Sequence, residues 1–340
     1  MTERAYLLEN FIQECGWETA KRVPLAADAS TRSYDRLTNE ASDTTAILMN
    51  APVDIDSNIV TFKQVTETLR SYGLSAPVVY HTDSTNGFLL IEDLGDDLFK
   101  RICECAPEME WQLYEAAIDV LAELHTHNAP PELPQYDAQT YLREARLLTE
   151  WYLPAATGAL RLTALSEEYD RLINEACALL PSEGLVLVQR DYHAENLIWL
   201  PRRIGVKRVG LLDFQDALAG HPAYDLVSLL EDARRDTSPE LRSDMIARYL
   251  TATRADAEAF MMAYNVLGAQ RNLKIIGIFT RLYLRNGKAT YLDLIPRVWG
   301  HLMRDLAHPA LAGLQSWVLQ NIPDPDIAIL NKIRDVRNDS

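Results

Sequence analysis

Leu7, Leu8, Phe11 and Ile12 recur at helical spacing, which predicts an opening amphipathic helix. Three short runs of strand character follow: about Arg22 to Ala26, Ser33 to Thr38, and Thr45 to Asn50, where Ala51-Pro52-Val53-Asp54 ends the third. Residues Ile59 to Tyr72 return to the helical period and close at Gly73. Pro77-Val78-Val79-Tyr80 and the run Gly87 to Glu92 read as two more strands. Strand-strand-strand-helix-strand-strand predicts an α+β lobe built on a mainly antiparallel sheet.

The texture changes after Leu94-Gly95-Asp96-Asp97. Glu108 to His125, Ala138 to Tyr152 and Ser166 to Leu179 are helical by period, and a short β segment spans about Val186 to Leu212. More helices run from Tyr224 to about Asn321, and Pro323, Pro325 and the charged tail after Lys332 predict a frayed end. The expected organisation is a β-rich lobe over residues 1–94 and a larger helical lobe over residues 95–340.

At 340 residues, 48% hydrophobic and 24% charged, the chain has material for two packed lobes. Its formal charge of −16 argues against nucleic acid as a partner, because polyanions are held by basic surfaces. The same charge means that a bound nucleoside triphosphate needs a local cation to offset repulsion. Cys15, Cys103, Cys105 and Cys177 lack the paired spacing of a zinc site and read as reduced, mostly buried thiols. Glu9 and Glu14 interrupt the apolar residues where a signal peptide needs an apolar core, and no apolar run approaches a membrane span. A reducing cytoplasm is the expected setting, with no membrane partner.

Two linked strings carry the candidate chemistry. Gln189-Arg190-Asp191-Tyr192-His193-Ala194-Glu195-Asn196 lies between the apolar runs Leu185 to Val188 and Leu197 to Leu200. The run Val206 to Leu212 then delivers Asp213-Phe214-Gln215-Asp216, and Tyr224-Asp225-Leu226 follows. Taken singly, Asp191 and Asn196 read as turn residues and Asp213 as a cap. Taken together, in loops at strand ends and behind a five-strand lobe, they read as one site. Asp191 then sits beside an incoming hydroxyl and takes its proton, while Asn196 and Asp213 offer hard oxygens to Mg2+. Phosphoryl transfer needs that set and little else, because positioning and charge neutralisation supply most of the catalysis.

The strings Arg190-Asp191-Tyr192-His193, Gly210 to Ala217 and Tyr224 to Asp236 resemble those of the aminoglycoside phosphotransferase family, which has the protein-kinase-like bilobal fold. Within it they look most like the anomeric sugar kinases that phosphorylate N-acetylmuramate and N-acetylglucosamine in cell-wall recycling. The resemblance covers most of the chain, including Leu90-Ile91-Glu92-Asp93-Leu94-Gly95, which is similar to the family's hinge. It implies ATP-dependent transfer of the γ-phosphate to a sugar hydroxyl, with adenine bound to backbone near Glu92 and Leu94. It also implies Asp191 as base, Asn196 and Asp213 as magnesium ligands, and Asp225 as a buried Asp that holds the catalytic loop.

The chain departs from the family pattern at three places. Gln189 stands where the family has His, the third strand has no phosphate-binding Lys, and the loop Ala27 to Arg32 has no glycine. Ser30, Thr31 and Arg32 are therefore the candidates for the phosphates, with Lys63 as a further cation. His193, Glu195 and Asp216 are candidates to meet the substrate, with loop packing the alternative for His193. Arg234 and Arg235 read either as surface charges or as partners of a sugar carboxylate. Trp111, Tyr114, Trp151 and Tyr152 read either as core or as stacking surfaces. The competing readings are a kinase for a cationic substrate, such as an aminoglycoside or choline, and a nucleotide-binding pseudokinase. A pseudokinase has no physical need for a base and two metal ligands. The oligomeric state is left open.

Overall fold

The structure is a computed structural model that describes residues 3–25, 32–51, 59–158 and 163–338. The chain opens with α1 (Glu3–Glu14), β1 (Lys21–Pro24), β2 (Ser33–Asn39), β3 (Thr44–Asn50), α2 (Ile59–Ser71), β4 (Val79–Asp83) and β5 (Phe88–Glu92). Next come α3 (Phe99–Cys105), α4 (Glu110–Leu124), α5 (Ala138–Ala145), α6 (Leu153–Thr157) and α7 (Thr163–Cys177). The short strands β6 (Val186–Val188), β7 (Leu197–Trp199), β8 (Val209–Leu211) and β9 (Leu218–Gly220) follow. The remaining helices are α8 (Ala223–Leu230), α9 (Pro239–Thr253), α10 (Ala257–Asn286), α11 (Ala289–Leu306), α12 (Ala312–Asn321) and α13 (Ile327–Asn338). By contacts the chain divides into Met1–Leu124 with Gln189–Ala217 (unit 1), and His125–Val188 with Leu218–Ser340 (unit 2).

In unit 1 the five strands lie in the order β1-β2-β3-β5-β4, each pair antiparallel, as the order of elements in the sequence predicts. Residues two apart on a strand share a face. Ala46 and Leu48 of β3, Leu37 of β2, and Phe88 and Leu90 of β5 therefore form one core with Leu8, Phe11 and Ile12 of α1. β1 is an exposed edge strand, which tolerates Pro24 because no neighbour needs its missing N–H. β4 begins later than Pro77 and carries an irregularity between Val79 and His81.

Unit 2 is built around α10, a helix of 30 residues. The expected single helix Ala138 to Tyr152 is interrupted: α5 is followed by a π-helical turn, Leu148–Tyr152, before α6. The Leu153 N–H bonds Leu148 O, five residues back, and Pro154 has no N–H to resume the α ladder on Glu150. The predicted frayed terminus is instead α13, capped by Asp326, which accepts the Ile329 N–H at 2.8 Å. Leu330 and Ile333 are buried, so the charges of the tail occupy only the outer side of a docked helix.

Two smaller expectations also change. Gly205–Arg208 form a 3-10 turn, so the strand expected from Val206 shrinks to β8. Cys103 and Cys177 are buried and Cys15 half-buried, but Cys105 is exposed; all four are free thiols. No helix among the described residues is long and apolar enough to cross a membrane.

Candidate active site

The two strings meet through the register of a short hairpin in unit 1. Leu197 of β7 pairs with Leu211 of β8, and the Leu212 N–H bonds Asn196 O at 3.0 Å. Asn196, one residue before β7, therefore stands opposite Leu212 and next to Asp213, one residue further on. Arg190 links the same loops from the other side, its Nη1 donating to Asp216 O at 3.4 Å. Phe214 is buried and stacks on Phe62 of α2, with ring centroids 5.1 Å apart, which anchors the segment that presents Asp213.

The loop around Asp191 is held by its own backbone and by buried neighbours. Asp191 O accepts the His193 N–H at 3.1 Å and the Asn196 Nδ2 amide at 2.9 Å. Tyr192, buried, donates its hydroxyl to Ala117 O of α4 at 2.8 Å, and the Lys100 N–H bonds Ala194 O at 3.0 Å. Arg190 and Asp213 both adopt left-handed backbone, at φ 74° and 56°. Such conformations are costly for residues with a Cβ and concentrate at functional sites.

The hydrogen bonds of Asn196 and Asp213 leave one oxygen of each side chain without a protein donor among the described residues. The Asn196 amide nitrogen is occupied by Asp191 O and lies 3.4 Å from His193 Nε2, so its oxygen is the end left over. Asp213 Oδ1 accepts from Gln215 Nε2 at 2.8 Å, which leaves Oδ2. Among the described residues no group of three or more His, Cys, Asp or Glu stands ready for a metal. One carboxylate and one amide suit Mg2+, which takes few protein ligands and completes its shell with phosphates and water.

Electrostatics mark the same spot. Asp213 keeps a solvent-facing surface, yet enough protein crowds behind it for desolvation to raise its pKa. The charges of Asp191 and Asp216 push the same way, while Gln215 and Arg32 oppose. A carboxylate that protein surrounds and two like charges repel is poised for a cation.

Arg32 is half-buried just ahead of β2, and its guanidinium hydrogen-bonds the Tyr34 side chain. Burial raises the Tyr34 pKa first, and Asp213 adds to it while Arg32 opposes. Ser33 pairs with Asn50, so Arg32 arrives beside the end of β3, the strand that lacks a lysine. Sequence reading missed Tyr34, although its place two residues after Arg32 on the same strand face would have found it. Ser30 and Thr31 lie outside the described residues, and Lys63 faces Glu67 at 3.8 Å on the surface of α2.

At the hinge-like segment the Glu92 side chain is taken up by Arg203 at 2.6 Å and by the Val78 N–H at 3.1 Å, and its own N–H bonds Val78 O. The backbone of buried Leu94 bonds nothing among the described residues. Gly210 lies beneath it, where a Cβ would come 3.0 Å from Leu94 Cδ1.

Of the other candidates, Gln189 and His193 are buried, Glu195 pairs with Lys100 at 2.5 Å, and Asp216 is exposed. In unit 2, Asp225 is fully buried in the first turn of α8, where its charge adds to the burial that raises the Tyr249 pKa. Tyr114 and Tyr152 are core residues, Trp111 is exposed and Trp151 is half-buried.

The model of the phosphotransferase enzyme family matches residues 21–261 of the chain. An N-acetylmuramate/N-acetylglucosamine kinase of Caulobacter vibrioides is 36% identical, over 95% of this chain and 98% of its own. A protein of the same name from Neisseria meningitidis is 32% identical, over 89% and 91%. Among solved structures, the ADP-bound aminoglycoside phosphotransferase APH(2'')-Ib superposes with a TM-score of 0.59 at 15% identity, over 87% of this chain and 97% of that one. At that identity the likeness speaks to the fold, which is the kinase-like α+β fold expected from the sequence.

Proposed function

Because the chain belongs to the phosphotransferase enzyme family and is a small-molecule kinase, we propose that it moves the γ-phosphate of ATP to the anomeric hydroxyl of N-acetylmuramate and N-acetylglucosamine. The names of relatives at 36% and 32% identity support the sugar, and the register that sets Asn196 beside Asp213 supports the chemistry. In this reading residues 1–94 bind nucleotide, and residues 95–340 supply the catalytic loop and the sugar site.

Asp191 orients the sugar hydroxyl and accepts its proton as the oxygen attacks phosphorus. Asn196 Oδ1 and Asp213 Oδ2 are the oxygens offered to Mg2+, whose contribution when bound is to neutralise charge on the phosphate oxygens. Arg32, beside the end of β3, supplies the cation that the missing lysine would have provided, with Ser30 and Thr31 around the same phosphates. The free backbone of Leu94 is the natural partner for adenine, with Glu92 holding the segment through Arg203. Asp216, the exposed member of the set, faces substrate; His193 and Glu195 stand behind it, and Gln189 and Asp225 are the bracing residues. The setting is a reducing cytoplasm, where the four cysteines stay thiols.

The test is ADP release with N-acetylmuramate, N-acetylglucosamine and kanamycin, with the position of the new phosphate fixed by NMR. Turnover of the two sugars at the anomeric carbon is the expected result. Turnover of kanamycin and of neither sugar would overturn the reading in favour of a cationic substrate, and no ADP release with any acceptor would favour a pseudokinase.

A further inference from the structure

A tight turn follows β5. The Asp93 carboxylate accepts the Gly95 N–H at 2.9 Å, and Gly95 takes the left-handed backbone, φ 89°, that lets the chain reverse. Leu94, between them, lays its side chain on β8, where Gly210 leaves room for it. The turn is stitched to the hairpin that carries Asn196 and Asp213. The Trp199 N–H of β7 bonds Asp97 O at 2.7 Å, and Leu98 pairs with Ile198. Arg203, from the connection between β7 and β8, takes the Glu92 carboxylate at 2.6 Å. All of these residues belong to unit 1.

Arg36 of β2 spans this turn from outside. Its Nη1 and Nη2 donate to the two oxygens of Asp96, each at 2.8 Å. Nη2 also donates to Asp93 Oδ1 at 3.1 Å, and Nε lies 2.7 Å from Asp93 Oδ2. One guanidinium therefore grips the carboxylates on either side of Leu94 by two of its edges, which a planar fork can do and an ammonium cannot. The Arg36 hydrogen bond is the first cause that holds Asp96 below the usual carboxylate range. Ion pairs in open water contribute little. Here the Asp93 side chain is only 6% exposed and that of Arg36 22%, so the inner half of the clamp is shielded.

The register of the sheet explains why the clamp comes from β2. Arg36 pairs with Ile47 of β3 and Ile47 with Ile91 of β5, so the three stand in one row on the face opposite α1. Two interstrand spacings, about 10 Å, separate Arg36 from β5, and its long side chain crosses them to the residues just beyond the strand's end. Tyr34, two residues earlier on the same face, hydrogen-bonds Arg32 and feels the charge of Asp213. One strand thus meets the turn at Leu94 with one end and the surroundings of Asp213 with the other. In the reading above a nucleotide covers that same span, with its base at Leu94 and its phosphates at Arg32 and Asp213.

We propose that Arg36 is a positioning residue for the nucleotide base: by joining Asp93 to Asp96 it fixes the turn that presents the Leu94 backbone, and so sets the affinity for ATP and the preference for adenine. This rests on the kinase reading above. Adenine carries an amino donor where guanine carries an acceptor oxygen, so a fixed backbone tells the two apart and a loosened one does not. The experiment is calorimetric titration of the wild type, Arg36→Met, Arg36→Lys and Asp96→Asn with ATP and with GTP, in Mg2+ and without sugar. Arg36→Met should raise the Kd for ATP by roughly 5- to 30-fold and that for GTP by less than about threefold. Arg36→Lys, which keeps the charge but not the fork, and Asp96→Asn should fall between it and the wild type. Asp96→Asn alters only the more exposed carboxylate and decides the matter if Arg36→Met does not fold. An unchanged Kd for ATP, or equal losses for the two nucleotides, overturns the assignment and leaves the kinase reading standing. So does a wild type that binds ATP and GTP equally. Absence of ATP binding by the wild type overturns both.

Discussion

Asp305 of α11 is fully buried, hydrogen-bonded to Glu231 at the end of α8, and receives Asn272 Nδ2 of α10 at 2.9 Å. The same Asn272 amide donates to Glu231 Oε2 at 2.8 Å, and Tyr264 donates to Oε1 at 3.2 Å. Desolvation raises the Asp305 pKa well above its ordinary value, the charge and hydrogen bond of Glu231 add to this, and Asn272 and Arg304 oppose. Burial beside Glu231 therefore favours the protonated acid at Asp305. Its contribution to stability is complete below the unfolded pKa and is lost as pH rises toward the folded one. An acid held neutral costs about 1.4 kcal/mol for each pH unit above an unfolded value of about 3.9.

Asp305→Asn replaces the neutral acid with a neutral amide of the same shape. Its N–H can donate to Glu231 and its carbonyl can accept from Asn272, so the contacts survive while the proton linkage disappears. As pH rises above about 4.5 the stability of the variant relative to the wild type should grow, by up to about 1.4 kcal/mol per pH unit while the fold keeps Asp305 protonated. For a unit of this size each such pH unit is roughly 3–5 °C of additional separation in Tm. Thermal melts of both proteins across that range, read by circular dichroism, measure it, with ADP release at neutral pH confirming an intact site. Parallel melting curves across the range would refute the reasoning, because they would mean that Asp305 is ionised in the fold. So would a variant several degrees less stable at every pH.

Asp191→Asn should lower ADP release by roughly 100- to 10,000-fold, and Asp213→Asn should lower it comparably, with melting little changed. Asparagine is the right probe at 213 because it tolerates the left-handed backbone there, at φ 56°, where alanine adds strain. Asn196→Ala should raise the Mg2+ concentration needed for half-maximal activity roughly tenfold or more, read from a magnesium titration at saturating ATP. Gly277→Ala should destabilise by about 3 kcal/mol or more, since its Cβ meets the Leu147 backbone at 2.2 Å. Gly300→Ala on α11, with nothing within 4 Å, should instead gain about 0.5–1 kcal/mol. Denaturant midpoints separate the last two.

Local pattern alone determined much of this protein. The apolar runs Ala46 to Met49 and Phe88 to Ile91 placed the sheet, because a strand buried on both faces is apolar at consecutive positions. The order Asp191, Asn196, Asp213 was legible for a similar reason: each sits in the short loop next to a strand, and the chemistry resides in residue type and spacing. Tertiary structure decided the rest. The close pass of α10 over Leu147, just before the π turn, depends on Gly277, and the docking of α13 on where Leu330 and Ile333 find an apolar surface. The raised pKa of Asp305 arises because α8, α10 and α11 bring Glu231, Asn272 and Asp305 together away from water.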